Sequence, residues 1–238
     1  VENQGATYHG FSRASSAEAA SRNADEILNA VSFVLPLAFK PFSLTDASYT
    51  GKKFYLGWGA AASSDPANMQ NEVKYDVLHT NAIFTTDLGG NYADNKLIGF
   101  SNATAKAIRQ QWQQIGRAMD SEDMYLQYSS GHGSETGLGV GVSYEEIRDN
   151  ALAYPAKEVV ILIMACHSGA LVDSFNKVKS KWQDWSNAGR SLLVMASSDA
   201  YTNSEVGPGK DPSEPNGPSG SAGSAFGHAV WKALTGSA

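Results

Sequence analysis

The twelve residues Glu158-Val159-Val160-Ile161-Leu162-Ile163-Met164-Ala165-Cys166-His167-Ser168-Gly169 decide how the chain is read. Seven apolar residues in a row, rich in Val and Ile, make a strand that is buried on both faces, as at the centre of a parallel sheet. A cysteine, a histidine and two small residues end it. The segment from Ala170 to Trp185 then predicts a helix. A parallel sheet needs crossover helices on its faces, so this passage points to an open α/β fold.

Working outward, the same grammar repeats. Ser191–Ala196 (SLLVMA) predicts a second central strand, and Met124–Tyr128 (MYLQY) and Lys53–Trp58 (KFYLGW) two more. Asp76–Thr86 contains a β-like run, AIFTT, and Lys96–Phe100 (KLIGF) another. Gly59–Val73 reads as a loop. Thr104 caps a helix over Ala105–Met119, whose Ile108, Trp112, Ile115 and Met119 share one face. Ser143 caps a helix over Tyr144–Ala153, with Glu145 and Glu146 where the helix dipole favours negative charge. A last helix covers Ala225–Leu234. Between them, Gly207–Gly223 is dense in Pro, Gly and Ser and reads as a mobile loop. Residues 1–50 form an N-terminal extension or pro-segment, with a helix over Ser15–Ala30. Residues 51–238 form the main α/β domain.

Composition narrows the function. The chain has 238 residues, 42% of them apolar, and a formal net charge of −6. No basic stripe tracks phosphates, so nucleic acid is not an expected partner. The most apolar early stretch, Ile27–Leu44, is broken by Pro36, Lys40 and Pro41, and no membrane span is expected. The chain reads as soluble and monomeric. Its start at Val1 fits either a trimmed chain or a mature form, secreted or periplasmic, whose signal has been removed. With one cysteine, Cys166, no internal disulfide is possible, and the residue is either a buried apolar group or a reactive thiol. One Cys and scattered His give no metal-ligand spacing, and no cofactor is expected. Gly137-Leu138-Gly139-Val140-Gly141 lacks the context of a nucleotide loop and reads as a turn.

In an open α/β sheet, ligands bind beyond the carboxyl ends of the strands. Cys166 lies just past one such end. His132, in Ser129-Ser130-Gly131-His132-Gly133-Ser134, lies just past another. A thiol nucleophile needs a base and donors for an oxyanion. His132 is the candidate base, and the backbone N–H groups of Gly133 and Cys166 are the candidate oxyanion donors. His167 adjoins Cys166, but neighbours leaving a strand point apart, and it ranks below His132.

Tyr128–Ser134 resembles the strand-end histidine motif of metacaspases and related bacterial caspase-like peptidases. Met164–Phe175 resembles their nucleophile motif, Cys-His-Ser-Gly at the end of an apolar strand running into a helix. Asn102-Ala103-Thr104 and Ser224-Ala225-Phe226, each opening a helix, are similar to the family's pattern. Legumain-type peptidases share the His-Gly and Ala-Cys-x-Ser-Gly framework. The resemblance covers about Lys52–Leu234. It implies a caspase-like three-layer sandwich, a mostly parallel sheet with helices on both faces. It implies peptide-bond hydrolysis by a Cys-His dyad without an obligatory third residue, acting on a peptide or protein substrate, with the chain's own N-terminal segment a further candidate ligand.

Residues expected around the substrate are Ser130, Met164, Asp199 and Glu205. Met164 stands where metacaspases usually carry an acid that binds a basic side chain. An uncharged residue before the scissile bond is therefore expected, with Arg or Lys as the alternative if Asp199 or Glu205 restores the charge. No match exists for the family's calcium-binding aspartates, and Asp120, Glu122 and Asp123 read as a solvated connection. A catalytically silent caspase-fold binding protein and a transamidase using the same dyad are the competing readings.

Overall fold

A computed structural model describes residues 50–86, 89–204, 207, 209 and 219–235. The N-terminal extension and most of the Gly207–Gly223 loop lie outside these residues. The main sheet contains β1 (Lys53–Ala60), β2 (Asp94–Ile98), β3 (Met124–Gly131), β7 (Glu158–Met164) and β8 (Ser191–Ala196). Their order is β2-β1-β3-β7-β8, and every pairing is parallel. Between β3 and β7, the short strands β4 (Gly133–Ser134), β5 (Gly137–Leu138) and β6 (Val142–Ser143) form a separate antiparallel sheet. The turn read at Gly137–Gly141 is thus partly a strand.

Six helices complete the described chain: α1 (Ala67–Phe84), α2 (Ala105–Ala118), α3 (Tyr144–Ala153), α4 (Gly169–Asn176), α5 (Lys179–Asn187) and α6 (Ala225–Thr235). Side chains alternate across each strand, so the sheet has two apolar faces. Phe54, Leu56 and Trp58 of β1, with Val159, Ile161 and Ile163 of β7, face a core closed by Ile108, Trp112, Ile147, Leu171, Phe175 and Trp185 of α2 to α5. Tyr55, Leu126, Tyr128, Val160, Leu162 and Met164 face the other side, with Phe84 of α1 and Phe226 and Val230 of α6. Helices therefore cover both faces, a three-layer α/β/α arrangement.

Most elements follow the sequence patterns closely. Thr104 and Ser143 accept hydrogen bonds from the Ala107 and Glu146 N–H groups, as N-caps do. Four readings need correction. Residues from Ala67 are helical, so Gly59–Val73 is not a continuous loop and Ala82–Phe84 is not a strand. The buried face of α1 carries Glu72, Asp76 and Thr80 among Val73, Val77, Ile83 and Phe84, and these polar residues break the apolar stripe that marks a helix. The helix read over Ala170–Trp185 is two helices, parted at Lys177–Val178, where Val178 leaves helical geometry (φ −117°, ψ 35°). Asp123 is buried rather than solvated. Its carboxylate accepts the N–H of Lys52 at 2.6 Å and of Asp120 at 2.8 Å, fastening the start of β3 to that of β1.

Candidate active site

The parallel register of β3 and β7 pairs Ser130 with Met164. His132 and Cys166 each lie two residues beyond that pair, on adjacent strands leaving the same edge of the sheet. Gly133 sets their spacing. A Cβ built on it would stand 2.1 Å from the Cys166 carbonyl oxygen and 2.8 Å from the Ala165 Cβ, so no side chain fits. Gly131, at φ +153°, faces a similar limit, its Cβ position lying 2.2 Å from the Ala60 carbonyl oxygen. The Gly139 N–H donates to the His132 carbonyl at 2.8 Å and ties the histidine to the small sheet.

The His132 side chain is 41% exposed, and Cys166 is half-buried, so both are open to a ligand. His132 Nε2 lies 2.8 Å from Asp65 Oδ2. Asp65 sits in the β1–α1 connection, and its side chain is 13% exposed. It is held by the Ala62 N–H, which donates to Oδ2 at 2.7 Å, and by Gln70, whose Nε2 donates to the Asp65 carbonyl. Nothing in the sequence singled out Asp65, because 67 residues separate it from His132.

The turn bearing Cys166 is stapled to the end of β8. The Ala165 carbonyl accepts hydrogen bonds from Ser198 Oγ at 3.0 Å and Ser204 Oγ at 2.8 Å, and the Ala165 N–H donates to Ser197 Oγ. Ser168 and Ser198 exchange backbone-to-hydroxyl bonds. His167 takes the left-handed conformation, φ +56°, uncommon for a residue with a side chain. Its N–H donates to the Thr202 carbonyl and its Nδ1 to the Ala200 carbonyl at 3.2 Å. One ring nitrogen of His167 is therefore committed to the 197–204 segment. The Tyr144 hydroxyl donates to the Cys166 carbonyl at 3.3 Å.

The residues expected around the substrate divide. Ser130 is fully buried, and its hydroxyl donates to Asp76 Oδ2 at 2.7 Å. Met164 is 8% exposed among the side chains facing α1 and α6. Asp199 caps its own turn by accepting the Tyr201 N–H at 2.7 Å. Burial raises the Asp199 pKa, but hydrogen bonds from Tyr201 and Thr202 outweigh it, and the carboxyl stays below the usual carboxylate range. Glu205 lies outside the described residues.

Two acids that the sequence reading passed over lie beneath Ser130. Asp76 also accepts the N–H and hydroxyl of Ser224, at 2.8 and 3.0 Å, and so joins α1, β3 and the start of α6. Burial raises its pKa to about 6, and bonds from Ser130 and Ser224 hold it from going higher. Glu72, one turn earlier, is raised to about 7, first by burial and then by the Asp76 charge, against a lowering bond from the Gly207 backbone. Among the described residues, no Lys, Arg or His forms an ion pair with either acid.

The described residues hold no group of three or more His, Cys, Asp or Glu able to bind a metal ion, and none of their helices is long and apolar enough to cross a membrane. Set beside known proteins, the sequence matches no family model and no curated protein.

Proposed function

We propose that the protein is a cysteine endopeptidase of caspase-like fold, with Cys166 as nucleophile and His132 as base. The observation that carries this reading is the shared register of the two residues beyond the paired ends of β3 and β7. Adjacent parallel strands that end together would present both side chains to one crevice, the usual ligand site of such sheets.

In the reaction, His132 takes the proton from Cys166 Sγ, and sulfur bonds to the carbonyl carbon of the scissile peptide. The carbonyl oxygen becomes an oxyanion facing the N–H groups of Gly133 and Cys166. The carbon–nitrogen bond breaks as His132 returns its proton to the departing amine. A thioester remains. Water then adds to it, giving up a proton to His132, and the acid product leaves as the thiol re-forms. An amine in place of water would make the same site a transamidase.

For the residue before the scissile bond, Met164 alone favours an uncharged side chain. The basic alternative would draw on Glu72, which lies on the buried face of α1 one turn from Asp76, the partner of Ser130.

The test is peptide hydrolysis by Cys166→Ala, His132→Ala and His167→Ala. Loss of a general base costs about a hundredfold to ten-thousandfold. Cys166→Ala should be inactive and His132→Ala retain a trace, with His167→Ala less affected. Full activity in Cys166→Ala would end the proposal, and a greater loss in His167→Ala would reassign the base.

A further inference from the structure

We infer that Asp65 is a positioning residue for His132, so that the working unit is a Cys166–His132–Asp65 triad with Nδ1 as the proton-accepting atom. The inference rests on the dyad proposed above and deepens it. The resemblance implies a dyad with no obligatory third residue. The geometry adds a carboxylate.

The ring's two nitrogens have different roles. Nε2 lies 2.8 Å from Asp65 Oδ2, a distance typical of a charge-assisted hydrogen bond. An ionised carboxylate only accepts, so Nε2 must carry the hydrogen. In the neutral ring Nδ1 is then the bare nitrogen, and it alone can receive the proton of Cys166 Sγ. When it does, the imidazolium gains the adjacent negative charge, and the Nε2 proton stays between His132 and Asp65 throughout. Asp65 is itself fixed. Its Oδ2 also accepts the Ala62 N–H, its N–H donates to the Ala62 carbonyl at 3.0 Å, and Pro66 follows at the entry to α1. A carboxylate so anchored holds the ring at one angle. The titratable neighbours in the site are Asp65 from the β1–α1 connection, Cys166 from the β7–α4 turn and Tyr144 from α3, whose hydroxyl bonds the Cys166 carbonyl.

The experiment compares Asp65→Asn and Asp65→Ala with the wild-type chain. The Ala62 N–H and His132 Nε2 meet the same oxygen, Oδ2. Asparagine sets its amide oxygen there, keeps both bonds and the tautomer, and removes only the negative charge that steadies the imidazolium. Alanine removes the bonds as well and frees the ring. The expected loss in kcat is about threefold to tenfold for Asp65→Asn and about tenfold to a hundredfold for Asp65→Ala, with KM within about twofold in both. Two readouts separate positioning from structure. The rate of Cys166 alkylation by iodoacetamide should fall by a similar factor near pH 7, and the gap to wild type should close in strongly alkaline solution, where thiols in general ionise without a base. The thermal midpoint of Asp65→Asn should stay within a few degrees of wild type. Equal kcat and equal alkylation in both variants would overturn the inference, as would a loss independent of pH. The alkylation arm uses no peptide. A wild-type chain that alkylates through His132 but cleaves nothing would end the peptidase reading and leave the triad intact.

Discussion

Replacing Gly133 with alanine would place a methyl carbon 2.1 Å from the Cys166 carbonyl oxygen, where ordinary contact begins at 3.4 Å. The shortfall exceeds an ångström, and the obstacle is backbone. The Cys166 carbonyl cannot swing aside freely, because the Tyr144 hydroxyl bonds to it and the serine staple holds Ala165. The strain must separate the β3–β4 turn from the β7–α4 turn, widening the gap between His132 and Cys166. Overpacking of this kind costs about 1–3 kcal/mol, and a misplacement of about 1 Å between reacting groups can cost about a hundredfold in rate. The Gly133→Ala chain should therefore fold, melt several degrees lower and lose about a hundredfold in kcat/KM. Gly141→Ala is the control. It lies between β5 and β6, and its Cβ position is in open space, although φ +83° also makes alanine unfavourable there. It should lower stability by about 1 kcal/mol and leave kcat/KM within twofold. Peptide hydrolysis and thermal melts on both variants test the reasoning. Wild-type kcat/KM in Gly133→Ala, or equal losses in the two variants, would refute it.

Two further predictions concern the buried acids. Asp76 has its folded-state pKa raised to about 6 from 3.8, so the folded chain holds a proton that the unfolded chain releases between those values. Its contribution therefore favours the fold below about pH 4 and is lost as pH rises through 6, on the order of 3 kcal/mol. Asp76→Asn keeps an oxygen for the two Ser224 donors at the Oδ1 position and turns its N–H₂ to the Ser130 hydroxyl in place of Oδ2, and its thermal midpoint should fall less than wild type's between pH 4 and pH 7; parallel curves would contradict the assignment. Glu72→Gln should reduce cleavage after Arg or Lys about tenfold or more relative to uncharged residues in a positional peptide library. An unchanged profile would leave Met164 to set an uncharged preference.

The strands were legible because β7 and β8 are unbroken apolar runs and β1 and β3 are rich in aromatic and β-branched residues. His132 and Cys166 stood out because small residues follow each strand end. The α1 helix was hidden by the very residues that make its buried face unusual, since Glu72 and Asp76 interrupt its apolar stripe. The break at Lys177–Val178 carries no Gly or Pro to announce it. Asp65, and the bond that the helix-opening Ser224 makes to Asp76, were out of reach for another reason. Each acts on a side chain far away in sequence, and no local pattern encodes that pairing. Asp123 looked like one of several loop acids until the neighbouring strand supplied its donor.

The contacts that hold the site also bear on how it is made. Asp65 meets His132 across 67 residues, Ser130 meets Asp76 across 54, and Ser224 meets Asp76 across 148. A sheet whose strands are all parallel has no hairpins, so each of its pairings closes a long loop before any contact rewards the lost entropy. Such topologies fold slowly. Synthesis runs from the N-terminus, and a chain extended as far as Ser204 already contains Asp65, His132 and Cys166. It still lacks the clasp that Ser224 places on Asp76 beneath β3. The last tie beneath β3 thus depends on a residue that makes no contact with His132 or Cys166 among its described hydrogen bonds.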